Sequence, residues 1–506
     1  MSKYSFSFLQ QNSLISYIPS KENAILSSIN LSQKEKDFFE FLKTIIKENN
    51  LKNIELYAVG GWVRDHLLNL PSTDLDLVIK GISSKSFVKL LNEKFNKTKY
   101  IMVNNKIKKE GRELNLTKTK IFDINIDFVE IYNDIITDAK RRDFTFNAIY
   151  YNILENKIED ILNKGINDLK NGYIRICSTP NQLFNYDSLN IIRMIRFATK
   201  YNFIIDDACL EEIEKNKNIY KNNLLNKISK ERIHKEINII FNGPNPSFAI
   251  YSFYNFGILE DVLHIDRSKK NIDSISEKDM LDCVNIFIIG KICYDRYKKY
   301  FQEENFDDNY TCLYYSLLLT IVMNNFFDDH QNNLAKVILA KVLKIEGKIN
   351  LKIINHFDEF NNLISKNEYD RLKVGVLLRK LLISNVSKII LISVSNEYVK
   401  KINSKDILNK IDENELDNIF NKYFEFVKYY KKENMENINE MKPAMEGKEI
   451  KENFPGIDNK YLKTIMDNLI NKQIEKNKNL SKEEAINYIK LMIQELNIEI
   501  DEANEK

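Results

Sequence analysis

Apolar residues along this chain follow two different periods. Toward the N-terminus they gather in short runs, Leu56 to Val59 and Leu75 to Lys80, and in the alternating stretch Ile124 to Val129, which is the spacing of β-strands. Gly60-Gly61 closes the first run, and Trp62 to Leu68 after it reads as a short helix. From about Leu183 the period changes: Leu189, Ile192 and Ile195 recur at helical intervals, and the long stretches that follow hold few breakers. Gly and Pro number only 13 and 7, and much of the glycine falls before residue 260, so the β-containing part belongs at the N-terminus. Asn242-Gly-Pro-Asn-Pro246, Lys442-Pro443 and Phe454-Pro-Gly456 interrupt the helical pattern and mark boundaries. The expected fold is an α+β head followed by an elongated all-α remainder.

A chain of 506 residues exceeds what one hydrophobic core supports, so several domains are expected. With 43% hydrophobic and 29% charged residues it has the apolar material for packed cores. Lys and Arg total 75 against 72 acids, so the net charge of +3 gives no general attraction to nucleic acid, and any RNA-binding surface must be local. Cys177, Cys209, Cys283, Cys293 and Cys312 lie far apart with no C-x-x-C pair, which argues against zinc or a disulfide framework. No apolar run reaches the length of a membrane span, and Met1 to Ser20 does not read as a signal peptide. The expected location is intracellular: cytoplasm or nucleus, with mitochondrion or plastid as alternatives.

The chemistry begins at Asp74 and Asp76. Alternation on a strand puts both carboxylates on one face, where they suit a Mg²⁺ ion, and paired ions of this kind run phosphoryl transfer. A solvated strand end carries the same letters. Upstream, Gly60-Gly61 lets backbone N–H groups approach a phosphate, and Arg64 can pair with one; an ordinary tight turn is the plainer reading. Asp65 either pairs with Arg64 or takes a direct part in the chemistry.

Taken together, Gly60-Gly-Trp-Val-Arg-Asp65 and Asp74-Leu-Asp76 resemble the first motif of the class II nucleotidyltransferase/poly(A) polymerase family, and among its members the chain is most similar to the eukaryotic CCA-adding tRNA nucleotidyltransferases. The resemblance spans roughly residues 50 to 500 and is strongest before 260. It implies a polymerase-β-like nucleotidyltransferase head with an N-terminal extension over 1–165, a base-selecting helical neck over 166–265, a helical body over 266–440 and an RNA-binding tail over 441–506. It also implies a catalytic set of Asp74, Asp76 and Asp127, with Asp74 and Asp76 as ligands of two Mg²⁺ ions. Arg141-Arg-Asp-Phe-Thr-Phe-Asn147 resembles the second motif, in which Arg142 meets phosphate while Asp143 and Asn147 read ribose hydroxyls. Spaced by four, Asp143 and Asn147 are expected on one face of a helix that Asp143 also caps. Asp160, Gly165, Asp168 and Gly172 resemble the hinge between head and neck and are expected to be structural.

In the family, an acid-Asp-x-x-Arg helix reads the incoming base in place of a template. The matching stretch runs Tyr186-Asp-Ser-Leu-Asn190, so Asp187 is kept while Tyr186 and Asn190 replace the acid and the arginine. Asn190 keeps an amide donor but loses the charge-assisted bond, worth about 1–3 kcal/mol. Arg193 and Arg196 match positions directed at the nucleotide, and Glu231, Arg232 and Glu236 are expected to brace the neck. Arg296-Tyr-Lys-Lys-Tyr300 and Lys428-Tyr-Tyr-Lys-Lys432 interleave basic and aromatic residues as RNA contact requires, and as an ordinary half-buried helix face also does.

The resemblance implies a monomeric Mg²⁺-dependent enzyme that uses CTP and ATP to add CCA to tRNA, contacting its 3′ end and acceptor stem, with no DNA or membrane partner. An A-adding or relaxed polymerase, and a catalytically silent RNA-binding paralogue, are the alternatives that Tyr186 and Asn190 raise.

Overall fold

The computed structural model describes residues 28–72, 74–95, 103–109, 112–121, 124–131, 134–262, 277–304, 352–353, 355–402 and 411–495. The expected N-terminal extension, the signal-peptide reading of the first twenty residues, Cys312 and the side chain of Cys283 fall outside them. The chain forms two compact units, Met1–Asp266 and Arg267–Lys506.

The first unit opens with helix α1, Gln33–Glu48, whose N-terminus is closed by a capping box between Ser32 and Glu35. Strand β1 (Glu55–Val59) leads into the short helix α2 (Gly61–Leu67), and β2 (Asp74–Lys80) follows. After α3 (Ser84–Phe95) come β3 (Val103–Lys109), β4 (Arg112–Ile121) and β5 (Ile124–Glu130). Helix α4 (Ile135–Lys140) and a 3₁₀ turn (Thr145–Asn147) precede β6 (Tyr150–Asn152) and β7 (Lys157–Glu159). The seven strands form one sheet in the order β3-β4-β5-β2-β1-β6-β7. Only β2 and β5 run parallel, which places Asp76 beside Asp127 as register partners. The fold class matches the expectation: a mixed sheet with helices, then helix after helix.

Glu35 ties α1 to α2, because one carboxylate oxygen accepts from Trp62 Nε1 at 2.9 Å and lies 3.1 Å from His66 Nε2. Burial pushes its carboxyl up, but the bonds from His66, Ser32 and Trp62 outweigh that and bring it to about 2 from an ordinary 4.5. His66 is raised above 6.5: burial opposes the shift, and Glu35 with the Trp62 carbonyl drives it. The depressed carboxyl contributes stability above its ordinary value, and that contribution is lost as pH falls toward 2. The raised imidazole contributes fully below 6.5 and loses its contribution as pH rises through its folded value. Glu35→Gln is therefore expected to destabilise the fold most between about pH 4.5 and 6.5, by on the order of 1–2 kcal/mol after solvent screening. Melting curves across pH 3 to 9 check this, and a pH-independent difference contradicts it.

The rest of this unit is helical. Its members are α5 (Gly165–Asn171), α6 (Pro180–Tyr186), α7 (Leu189–Tyr201), α8 (Asp207–Lys215), α9 (Lys217–Lys227), α10 (Lys230–Phe241), α11 (Pro246–Asn255) and α12 (Leu259–Val262), with a small parallel pair, β8 (Tyr173–Ile174) and β9 (Ile204–Ile205), between them. Phe144 and Phe146 pack edge-on against Phe197 of α7 with ring centroids 5.4 and 5.3 Å apart, so the 3₁₀ turn and α7 share one core. Asp160 accepts the N–H groups of Gly165 and Ile166, Asp168 is buried with Thr145 Oγ1 at 2.7 Å, and Gly172 takes the left-handed conformation that ends α5. Asp160, Gly165 and Gly172 thus hold backbone geometry, and Asp168 a buried side-chain contact.

The second unit contains α13 (Glu277–Tyr297), α14 (Phe357–Lys366), α15 (Arg371–Leu381), α16 (Val386–Lys401), α17 (Glu413–Lys432), α18 (Gly447–Asn453), α19 (Asn459–Lys476) and α20 (Lys482–Glu495). Each basic-aromatic segment buries one tyrosine, while Lys298, Lys299, Tyr300, Lys428 and Lys432 stay exposed. Arg296 forks onto Asp417 at 2.8 and 2.7 Å, Tyr297 stacks on Phe420 at 3.7 Å, and Tyr297 and Tyr430 are buried. Met445, Ile450, Ile465, Leu469, Ala485 and Ile489 form a separate apolar cluster among the last three helices.

Candidate active site

A cleft of about 1050 Å³ opens over the carboxylate ends of β2 and β5 and the N-terminal halves of α7 and α10. Thirteen of the residues singled out from the sequence line it: Gly60, Gly61, Arg64, Asp74, Asp76, Asp127, Arg142, Asp143, Asn147, Asp187, Asn190, Arg193 and Arg196. It lies wholly within the first unit.

Leu75 and Leu77 are buried under the sheet while Asp74 and Asp76 turn the other way, the alternation expected of β2. Asp127, one strand over, is paired with Lys118 of β4, its register neighbour on the far side. Asp76 is reached by solvent through the cleft mouth, yet protein surrounds it closely. That partial burial pushes its carboxyl up, Arg142 pulls it down, and the charges of Asp127 and Asp74 push it up again, so the net shift is upward. Among the described residues no group of three or more His, Cys, Asp or Glu converges tightly enough to enclose a metal. Carboxylates gathered at one edge of an open cleft are the donor set of an ion that takes its remaining ligands from substrate oxygens.

Gly60 sits at φ +77°, and a Cβ there would stand 3.3 Å from Asp76 Oδ2. Glycine is required twice over, for the backbone and for the carboxylate beside it. Gly60→Ala is expected to cost about 1–3 kcal/mol of stability, measured by urea unfolding, and an unchanged midpoint contradicts this.

A buried network lines the opposite wall. Arg64 bonds Asp65 through Nε at 2.9 Å and Asn147 Oδ1 through Nη1 at 2.7 Å, and Asp65 also accepts from Tyr201 at 2.7 Å. Asp65 is therefore the ion-pair partner of Arg64 and does not line the cleft. Asn147 Nδ2 continues to Asp143 Oδ1 at 3.0 Å, and Arg193 Nη2 meets Asp143 Oδ2 at 2.5 Å. Burial opposes ionisation of Asp143, but the Arg193 charge and these bonds hold its carboxyl well below the ordinary range. Glu236 of α10 closes the network, 3.4 Å from Arg193 Nη1 and 2.7 Å from Arg196 Nε. The second contact is poorly aligned, leaving Arg196 Nε and Glu236 Oε2 without a hydrogen bond; burial, the largest influence, lowers the pKa of Arg196. Arg142 is clamped by Asp138 at 3.0 Å and Tyr150 at 3.0 Å, which turns its Nη1 toward Gly60.

One expectation is corrected. Asp143 and Asn147 do not share a helix, because Phe144 between them is extended and bridges to Ile176, and only a 3₁₀ turn follows. The pair meets through a tight turn in which Asp143 accepts the Phe144 N–H at 2.8 Å. Arg232, expected to brace the neck, lines the cleft and reaches Asp187 at 2.6 Å. Lys118, Lys120, Arg141 and Lys235 also line it without having been singled out. Lys118 and Lys120 alternate on a strand beside the carboxylates, and that spacing was the available signal.

The poly(A) polymerase head domain family matches residues 56–175, and the family described as a probable RNA and SrmB-binding site of polymerase A matches 202–265. The mitochondrial CCA tRNA nucleotidyltransferase of Candida glabrata is 27% identical, covering 93% of this chain and 97% of its own. A CCA-adding enzyme solved with CTP superposes with a TM-score of 0.60 at 18% identity, covering 93% of this chain and 96% of its own. The Thermotoga maritima CCA-adding enzyme complexed with tRNA gives 0.58 at 16%, covering 92% and 96%. With head and RNA-binding segments matched in order around a cleft that gathers the motif residues, the chain is similar over these segments to the class II nucleotidyltransferase/poly(A) polymerase family.

Proposed function

We propose that this chain adds CMP, CMP and AMP, taken from CTP and ATP, to tRNA 3′ ends without a nucleic-acid template. The observation that carries this is the single cleft in which Asp74, Asp76 and Asp127 face a wall of Arg142, Arg193 and Arg196, with Asp187 beside them. The relatives named above support CCA addition over poly(A) synthesis, and their CTP and tRNA complexes support those substrates. In this reading residues 1–165 are the head, 166–265 the base-selecting neck, 266–440 the body and 441–506 the tail.

Asp74 and Asp76 would hold Mg²⁺, with Asp127 assisting. Bound there, the metal would supply activation of the RNA 3′-hydroxyl and neutralisation of the departing pyrophosphate. The protein's own part is orientation. Arg142 and Arg193 are hydrogen-bonded to Asp138 and Asp143, Arg196 stands in ion-pair range of Glu236, and the guanidinium excess suits a triphosphate. Gly60 and Gly61 leave the triphosphate room to approach the backbone. Asp143 Oδ1 already accepts two N–H groups, whereas Oδ2 has one lone pair left beyond Arg193, which a ribose hydroxyl can fill. A preference for ribonucleotides follows.

The test is pyrophosphate release from CTP or ATP, measured with and without a tRNA transcript and with and without Mg²⁺. Release that requires all three supports the reading, and tRNA binding without release favours a silent RNA-binding paralogue. A relaxed or A-only polymerase has one observation in its favour: Asn190 Nδ2 is bound to the Asp187 carbonyl at 2.9 Å, so one of the two N–H groups of the amide expected to help read the base is engaged.

A further inference from the structure

Four features of the cleft wall converge on Arg232. Asn190 is only 7% exposed, and its amide nitrogen spends one of its two N–H groups on the Asp187 backbone carbonyl at the start of α7. Asp187 itself is fixed: Oδ1 accepts the Leu189 N–H at 3.1 Å, and Oδ2 accepts from Arg232 Nη2 at 2.6 Å. Arg232 arrives from a different helix, α10, where Ser229 caps the first turn and sets the residue on the side facing α7. Its side chain is 51% accessible, and both it and Asp187 line the cleft.

We propose that Arg232 is a specificity-determining residue: with Asp187 it forms the donor-acceptor pair that reads the incoming base, in place of the donor that Asn190 has turned onto the backbone. This rests on the proposed nucleotidyl transfer and names the part of the site that chooses the nucleotide. A carboxylate only accepts and a guanidinium only donates. Side by side they fit a base edge that shows an amino group next to an unprotonated ring nitrogen, as cytosine does at N4 and N3 and adenine at N6 and N1. Uracil and guanine show a carbonyl next to a ring N–H, which sets acceptor against acceptor and donor against donor. Oδ2 of Asp187 has a lone pair beyond the one Arg232 uses, and the guanidinium has further N–H groups in the same plane. The base edge can bind both without breaking the ion pair.

The test compares wild type, Arg232→Gln, Arg232→Lys and Asn190→Arg/Arg232→Gln. Affinities for CTP, ATP and UTP in Mg²⁺ are measured by calorimetry, and kcat/KM for each by extension of a tRNA transcript. Arg232→Gln is expected to shrink the CTP-over-UTP ratio by about 10–100-fold, Arg232→Lys by less, and the double variant to recover part of it. A ratio unchanged within about twofold, with only the overall rate reduced, overturns the proposal and leaves Arg232 a brace for Asp187. Arg232→Lys, which keeps the ion pair, decides the question if the glutamine variant does not fold. If wild type neither extends tRNA nor distinguishes CTP from UTP in binding, the nucleotidyl-transfer reading fails, and the base-reading pair with it. Extension with unmoved selectivity overturns the pair alone.

Discussion

Asp76→Asn is expected to reduce nucleotide addition by about 10³-fold or more while leaving the protein as stable as before, or slightly more so. The loss corresponds to about 4 kcal/mol of transition-state stabilisation, the scale on which a carboxylate ligand of a catalytic cation acts. The stability expectation comes from the surroundings. Asp76 stands closely surrounded beside Asp127 and Asp74, and its carboxyl is pushed upward chiefly by burial. An acid whose folded pKa lies above its ordinary 3.8 destabilises the fold when ionised, so stability rises as pH falls through that value. An uncharged isostere removes that penalty at neutral pH. Extension rates and melting temperature, measured on the same preparation, separate the two effects. A variant that melts earlier and retains activity identifies Asp76 as a structural residue.

Asp143→Ala has the opposite signature. Asp143 is the partner of Arg193 and, through Asn147, of Arg64, and the three are held in one buried chain. Removing the carboxylate leaves Arg193 against Arg196 with Glu236 as the remaining counter-charge, and breaking a buried pair from one side costs about 3–5 kcal/mol. Loss of activity should accompany it, because Arg193 and Asn147 both line the cleft. The depressed carboxyl contributes stability above its ordinary 3.8, which is lost as pH falls through its lower folded value, so the gap between wild type and variant should narrow in acid. Urea unfolding at pH 7 and at acid pH measures both. A loss under about 1 kcal/mol at pH 7 contradicts the network as described.

Local periodicity made much of this site legible in the sequence. The face shared by Asp74 and Asp76 follows from strand alternation, and the glycine at position 60 from the turn that must precede α2. What escaped depended on chain segments distant in sequence. The register that sets Asp76 against Asp127 is a parallel pairing across some fifty residues, and Lys118 reaches Asp127 only because β4 is the next strand. Asp143 and Asn147 carry helical spacing, but Phe144 is drawn into a bridge with Ile176 and its ring into the core around Phe197, so tertiary packing overrode the local pattern. Arg232 lies forty-five residues from Asp187 on another helix, and in-helix spacing suggested only a brace. The basic-aromatic segments of the second unit read as a half-buried helix face, and they are one: Tyr297 and Tyr430 are core residues while Lys298, Lys299, Lys428 and Lys432 are exposed.

The central claim is tested most directly by sequencing the products formed on tRNA transcripts ending at the discriminator base, at C and at CC, with all four NTPs and Mg²⁺ present. Ordered completion to CCA is expected on each transcript, with Asp76→Asn inactive on all three. Runs of A on any end, or no extension by wild type, contradict it.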